Sequence, residues 1–508
     1  MRVRDNERYN RILVATIITL TITFVAKGIG FLRSIIEASV LGASRDTDTY
    51  NVINALFCNI IYILTNSVGI AFVPQYMAKK AEMESKEFVA AVLKIVFVFS
   101  SILLLISQLF PHIISHILFY GCSIEQFSTA SRWIRIMSIA IPFLSVINIY
   151  QQLLNAEKIY GYVSINAIVN SVVFIFSLII FGRKYGVEAM VFAMPLSAAI
   201  QFFIVIIRGK SFVGLKNKKV EYCKYATFFI AIIPVVFSDA LGEIGIIVDK
   251  ILLASLSDGV VTSVTYATII YSMLVDIIVL SIVPIGYTEL SEAAMNNDNN
   301  RLCNIKNQLI KNILLICLPI IIVVYIESID IINIIFGHGK YDYEYVLLSS
   351  EAMRWYILCV IPICLKNVLF KMFYALNKMR IPALLGGGEV ILNIALSVYL
   401  VKKYDMVGVL MGTLFSTIVF TVILIIISNV ILVDDYKKTL WIEYGKIVLS
   451  AVIAMALGIK ISYLHQEYMV CNIIFVTIGV CTIYAASLFI LREKTIGKMI
   501  KKILIRLK

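Results

Sequence analysis

The sequence predicts an all-α polytopic membrane protein with 14 transmembrane helices, built as two six-helix repeats followed by two C-terminal helices. Three observations predict it. Of 508 residues, 60% are hydrophobic and only 15% are charged, whereas a soluble domain carries about 45–50% apolar and about 25% charged residues. Apolar stretches of roughly 20 residues, the length that crosses a bilayer as a helix, follow one another along the chain. Lys and Arg alternate between crowded and sparse loops in step with those stretches, as the positive-inside rule requires.

Taken in order, spans are expected near 12–40, 50–74, 88–110, 133–155, 160–182, 186–207, 225–255, 263–290, 309–328, 353–376, 382–401, 405–432, 443–463 and 470–491. Arg2, Arg4, Arg8 and Arg11 precede the first run as they would in a signal peptide. That run continues past Ala26 with no small-residue cleavage site, so it reads as an uncleaved first helix. The first and seventh spans exceed what a bilayer needs, which implies tilt or a kink; Gly28 and Gly30 offer a kink site in the first. With the N-terminus in the cytoplasm, 29 basic residues fall in cytoplasmic segments and 6 in outer loops, and both termini lie inside. The net charge of +13 is therefore mainly a signal of orientation, and nucleic acid is not needed to explain it.

An internal repeat appears at a spacing of about 220 residues. Residues 141–158, IPFLSVINIYQQLLNAEK, match residues 361–378, IPICLKNVLFKMFYALNK. Residues from Arg183, RKYGVEAMVFAMPLSA, match those from Lys402, KKYDMVGVLMGTLFST. The chain thus divides into an N-terminal six-helix lobe (1–208), a basic cytoplasmic linker (209–224), a second six-helix lobe (225–432), and a segment (433–508) holding helices 13 and 14 and a basic cytoplasmic tail. An even helix number gives both repeats one orientation, the plan of alternating-access transporters with a midplane substrate site.

A charge at the bilayer centre costs roughly 2.5–3.5 kcal/mol by insertion scales, so intramembrane charges mark function or a satisfied pair. The first helix carries Lys27, Arg33 and Glu37. Arg33 and Glu37 are four apart and share a face; Arg offers a bidentate fork for phosphate. These residues read as a cationic site for a phosphate or diphosphate, or else as an ion pair with a snorkelling lysine. Asp239 and Glu243 in the seventh helix, Asp276 in the eighth and Glu37 in the first either coordinate a coupling cation, sodium or proton, or balance basic groups. Asp249 and Lys250 are expected at the outer interface. Lys366 lies deep in the tenth helix and is a candidate substrate contact, while Lys371 sits where snorkelling is easy. Gly386, Gly387 and Gly388 read as close helix packing or a flexible point, with no strand before them to make a phosphate loop. No GxSxG, P-loop or HExxH occurs, so no catalytic residue or cofactor is expected. Nine cysteines without a CxxC pair and four scattered histidines give no metal spacing.

Residues 27–48, KGIGFLRSIIEASVLGASRDTD, resemble the first-helix signature of the MurJ/MviN family, the lipid II flippases of the multidrug/oligosaccharidyl-lipid/polysaccharide superfamily. The resemblance continues at Ala71 to Pro74, at Ile334 to Tyr345 (IIFGHGKYDYEY) and at Phe373 to Pro382 (FYALNKMRIP). It implies a flippase that moves an undecaprenyl-diphosphate-linked peptidoglycan precursor from the inner to the outer leaflet of the bacterial cytoplasmic membrane. It also implies a cationic cavity on helices 1, 2, 7 and 8, and coupling to a cation gradient or the membrane potential. The implied partners are the polyprenyl-diphosphate-linked glycan, membrane lipid and envelope-synthesis proteins. Arg33 matches the family's first-helix arginine, Lys27 stands where arginine is usual, and Asp48 matches the TD aspartate and joins the gating candidates. Departures are Ser34 in place of an acid, an uncharged 59–68 where the family has basic residues and a glutamate, and Ile269 at the eighth-helix arginine. Alternatives are a flippase for another lipid-linked oligosaccharide, a cation-coupled drug exporter of the same superfamily, and a membrane scaffold for envelope enzymes. An exporter of cationic drugs calls for an acidic cavity, which Lys27 and Arg33 oppose.

Overall fold

A computed structural model describes residues 2–82, 84–157, 159, 161–209, 226–432, 438–464 and 469–493. All regular structure among them is α-helix. The helices are α1 (Arg2–Leu41), α2 (Arg45–Ala81), α3 (Ser85–Leu109), α4 (Pro111–Leu118), α5 (Ile124–Ser138), α6 (Ala140–Ala156), α7 (Tyr162–Tyr185), α8 (Glu188–Gly209), α9 (Ala226–Ala254), α10 (Val260–Met295), α11 (Asn299–Ile326), α12 (Ser328–Phe336), α13 (Tyr343–Leu358), α14 (Val360–Ala375), α15 (Arg380–Leu432), α16 (Lys438–Leu464) and α17 (Met469–Ile490). Nine helical stretches among the described residues are long and apolar enough to cross a bilayer, ten if α5 and α6 are one bent span. Nearly all of the linker 209–224, and the tail beyond residue 493, lie outside the described residues.

Local chemistry explains where helices stop. Ser44 opens α2 with a capping box: Thr47 N–H donates to Ser44 Oγ at 3.3 Å, and Ser44 N–H donates to Thr47 Oγ1 at 2.8 Å. Pro111 starts α4, where its missing N–H has no helical partner to lose. The expected span 133–155 begins earlier, as α5, and bends by 40° into α6. Pro142 lies three residues past the break at Ile139, removing an N–H and crowding the carbonyl of the preceding turn. Pro362 stands in the same place after the break at Cys359, between α13 and α14. A second pair of breaks follows: Gly186 adopts φ 56°, ψ −132° between α7 and α8, and Asp405 adopts φ 47°, ψ −130° within α15. Matching devices therefore recur at the sequence repeat. In contrast, α1 stays helical through Gly28 and Gly30.

Contacts divide the chain into two units: Met1–Thr262 with Gly339–Tyr341, and Ser263–His338 with Asp342–Lys508. This division assigns α9 to the first unit, past the linker. In that unit α1 lies along α7, α7 along α8, and α2 between α6 and α9. Its core stacks Phe72 on Tyr76 and Phe88, with ring centroids 5.7 and 5.6 Å apart, among Val92, Ile147 and Leu153. The second unit packs α11 against α14, α16 and α17; Ile322, Ile447, Ala451, Val476 and Val480 form its core there. Gly458 of α16 permits this approach, because a Cβ at that position meets Val480 at 2.7 Å. Large apolar side chains such as Phe176, Phe203, Ile474 and Phe489 face outward. Such exposure suits helices whose backbone groups are satisfied internally and whose surroundings are lipid.

Candidate functional site

The first unit gathers charge near the C-terminal end of α1. Arg33 Nε lies 4.0 Å from Glu37 Oε2, one helical turn on. The Arg33 guanidinium also stacks on Phe174 of α7, 3.6 Å from the ring centroid. Stacking on the face leaves the N–H donors at the edge of the planar fork, where the Tyr50 hydroxyl of α2 is also within reach. Glu37 is buried, and so is the Tyr50 side chain of α2. Lys250 of α9 stands within electrostatic reach of Glu37, Cys58 and Asp48. Sequence reasoning placed Lys250 at an interface and gave it no role. Its proximity to Glu37 depends on α9 packing along α2, a tertiary contact that one-dimensional spacing does not reveal. Lys27 is exposed on α1, two turns before Arg33.

Asp48 does a different job from the rest. Its carboxylate is buried and accepts the Gly259 N–H at 2.7 Å, the Thr262 N–H at 2.8 Å and the Thr262 hydroxyl at 2.7 Å. It therefore caps the first turn of α10, where a helix presents unpaired N–H groups and a partial positive charge. Asn51 adds a bond to Thr262 Oγ1 at 3.1 Å, and Arg45 pairs with Asp258 at 2.9 Å. Together they tie the start of α2 to the turn between α9 and α10. Close by, the Lys340 N–H donates to Ser39 O at 2.9 Å. Gly42, at φ +69°, lies so near that a Cβ there would sit 2.4 Å from Lys340 O.

Asp239 and Glu243 stand one turn apart on α9, with Tyr62 of α2 in their field. In the second unit Lys366 is held by Glu389, at 2.7 Å from Oε1 and 2.9 Å from Oε2. It reaches an anion only by exchanging that carboxylate. Lys371 lies 5.6 Å from the ring centroids of both Tyr287 and Tyr374, so aromatic faces hold the charge that sequence left to snorkelling. Asp276 is exposed on α10. Gly388 packs against Phe420, whereas a Cβ at Gly386 would meet nothing within 4 Å, so close packing holds at one end of the run.

The family model described as lipid II flippase MurJ matches residues 37–479. The chain belongs to the MurJ family. Relatives include a probable lipid II flippase MurJ of Borreliella burgdorferi, 23% identical over 452 residues and 88% of each chain. Another, of Treponema pallidum, is 24% identical over 85% of each chain. Among solved structures, a lipid II flippase MurJ in an inward closed conformation superposes with TM-score 0.79 at 20% identity, covering 94% of this chain and 99% of that one. A multidrug resistance MATE family transporter in an inward-facing conformation reaches TM-score 0.65 at 14% identity, covering 82% of this chain and 98% of that one. At these identities the structures establish a common fold. On this fold Arg33 and Glu37 form a charged pair on α1, and Asp48 is a buried cap.

Proposed function

We propose that this chain is a transporter, a lipid II flippase that carries the undecaprenyl-diphosphate-linked peptidoglycan precursor from the inner to the outer leaflet by alternating access. The observation that carries the reading is the MurJ family match across residues 37–479, and Arg33 supplies the chemistry it needs. A diphosphate crossing hydrocarbon pays the full penalty of an unpaired charge. A guanidinium that turns its edge donors to the phosphate offsets that penalty bidentately. Arg33 anchors the diphosphate, with Lys27 toward the entry side and Lys250 toward the exit side. Glu37 is displaced from Arg33 as the phosphate arrives.

The same reading counts 14 spans, taking α5 with α6 and α13 with α14 as single broken spans and α15 as two. Both termini are cytoplasmic, in the bacterial inner membrane. Asp239, Glu243 and Asp276 are the acids through which a cation gradient or the membrane potential resets the cycle. A second reading, transport of another lipid-linked glycan, is favoured by one observation: residues 59–68 carry no charge. Complementation of a flippase-depleted bacterium separates the two. The unmutated chain is expected to restore growth and Arg33→Ala to abolish it. Failure of the unmutated, membrane-inserted protein removes lipid II as its substrate.

A further inference from the structure

The second unit buries a cluster of oxygen atoms that the proposed transport cycle does not use. Glu327 ends α11 and is 3% exposed; Asn472, on α17, is 4% exposed. Asp330 stands in the first turn of α12. The Asn472 amide nitrogen donates to Glu327 Oε2 at 2.9 Å and to Asp330 Oδ2 at 3.3 Å. Two carboxylates thus converge on one neutral amide. Among the described residues neither carboxylate has an ion-pair partner; the ion pairs of this unit lie at Arg301, Lys311 and Lys366.

Two oxygens in the cluster make no hydrogen bond of good geometry, although the Ser462 hydroxyl stands beside Glu327. They are Glu327 Oε1 and Asn472 Oδ1, and both are buried. A buried acceptor without a donor forfeits its solvation, and a buried carboxylate without a cation forfeits far more. A cation between the carboxylates corrects the first deficit directly, and the second once the Asn472 amide turns and its nitrogen gives up both carboxylates. Rotation of the Asn472 amide by half a turn presents Oδ1 to the carboxylates in place of the nitrogen. That is unfavourable for the oxygens alone and favourable with a positive ion among them. The resulting donor set is carboxylate and amide oxygen, with neither nitrogen nor sulfur, which selects hard cations over transition metals.

We propose that Glu327, Asp330 and Asn472 form a binding site for a hard metal cation, sodium or calcium in class, at the junction of α11 and α12 with α17. The bound ion staples the final helix to the helix pair beside it. It acts apart from Asp239, Glu243 and Asp276, and the proposal does not depend on which glycan is carried.

The test is thermal unfolding of the purified full-length protein in choline chloride, with sodium chloride or calcium chloride substituted at constant ionic strength. One of the two ions is expected to raise Tm saturably above the choline baseline. Asp330→Asn, which keeps shape and removes charge, is expected to shift the midpoint of that rise by ~10-fold or more, the size of loss typical when a metal site's support is altered. Glu327→Gln is expected to abolish the rise while the protein still unfolds cooperatively in choline. Equal Tm in all three salts overturns the proposal, as a proton shared by the two carboxylates predicts. An undiminished rise in both variants overturns it as well.

Discussion

Arg33 holds three things at once: a stacking surface on Phe174, a loose contact with Glu37, and edge donors within reach of the Tyr50 hydroxyl. Charge alone does not reproduce this set. Arg33→Lys keeps the charge and loses the planar fork, so it is expected to retain partial flipping where Arg33→Ala retains none, as growth rate in the depleted bacterium will read. Asp48 makes a separate prediction, because its three buried bonds are structural. Asp48→Ala leaves buried donors unpaired, at about 1–3 kcal/mol for each group. Thermal unfolding should show that loss, and the ion dependence of transport should stay as in the unmutated protein. At the end of α6, burial pushes the Glu157 carboxyl up, but the stronger combined pull of Lys80 and the Tyr76 hydroxyl holds it below its ordinary 4.5. A depressed folded value stabilises the fold above the unfolded value and loses that contribution as pH falls through the folded one. Unfolding between neutral pH and pH ~3 should therefore steepen below about 4.5, and less so in Glu157→Gln.

Breaks between helices are where element-scale chemistry is most exposed. Gly186 and Asp405 adopt nearly the same backbone angles, in a region that penalises a Cβ. Asp405→Gly removes strain of order 1–3 kcal/mol, offset in part by the greater freedom of glycine in the unfolded chain. It should raise Tm, whereas Gly186→Asp should lower it; calorimetry checks both. The repeat itself was legible because Pro142 and Pro362, and Tyr185 and Tyr404, keep register in the sequence. Two features were not legible. The breaks at Ile139 and Cys359 fall inside continuous apolar runs, where hydrophobicity does not distinguish one span from two helices in series. Lys250 looked peripheral because its partners, Glu37 and Asp48, come from other helices. Arg33 and Glu37 were legible because an i, i+4 pair is local.

At the scale of the whole molecule, the sequence's asymmetry of 29 basic residues against 6 predicts orientation. A reporter fused after Lys508 should be active only as a cytoplasmic fusion; activity of a periplasmic reporter there would reverse the topology. Translocation of labelled lipid II in sealed vesicles containing the purified chain reads the substrate itself. The unmutated protein is expected to move lipid II to the opposite leaflet, and Arg33→Ala, inserted to the same level, to leave it where it started. Equal transfer by both proteins, or none by the unmutated one, would overturn Arg33-dependent lipid II transport.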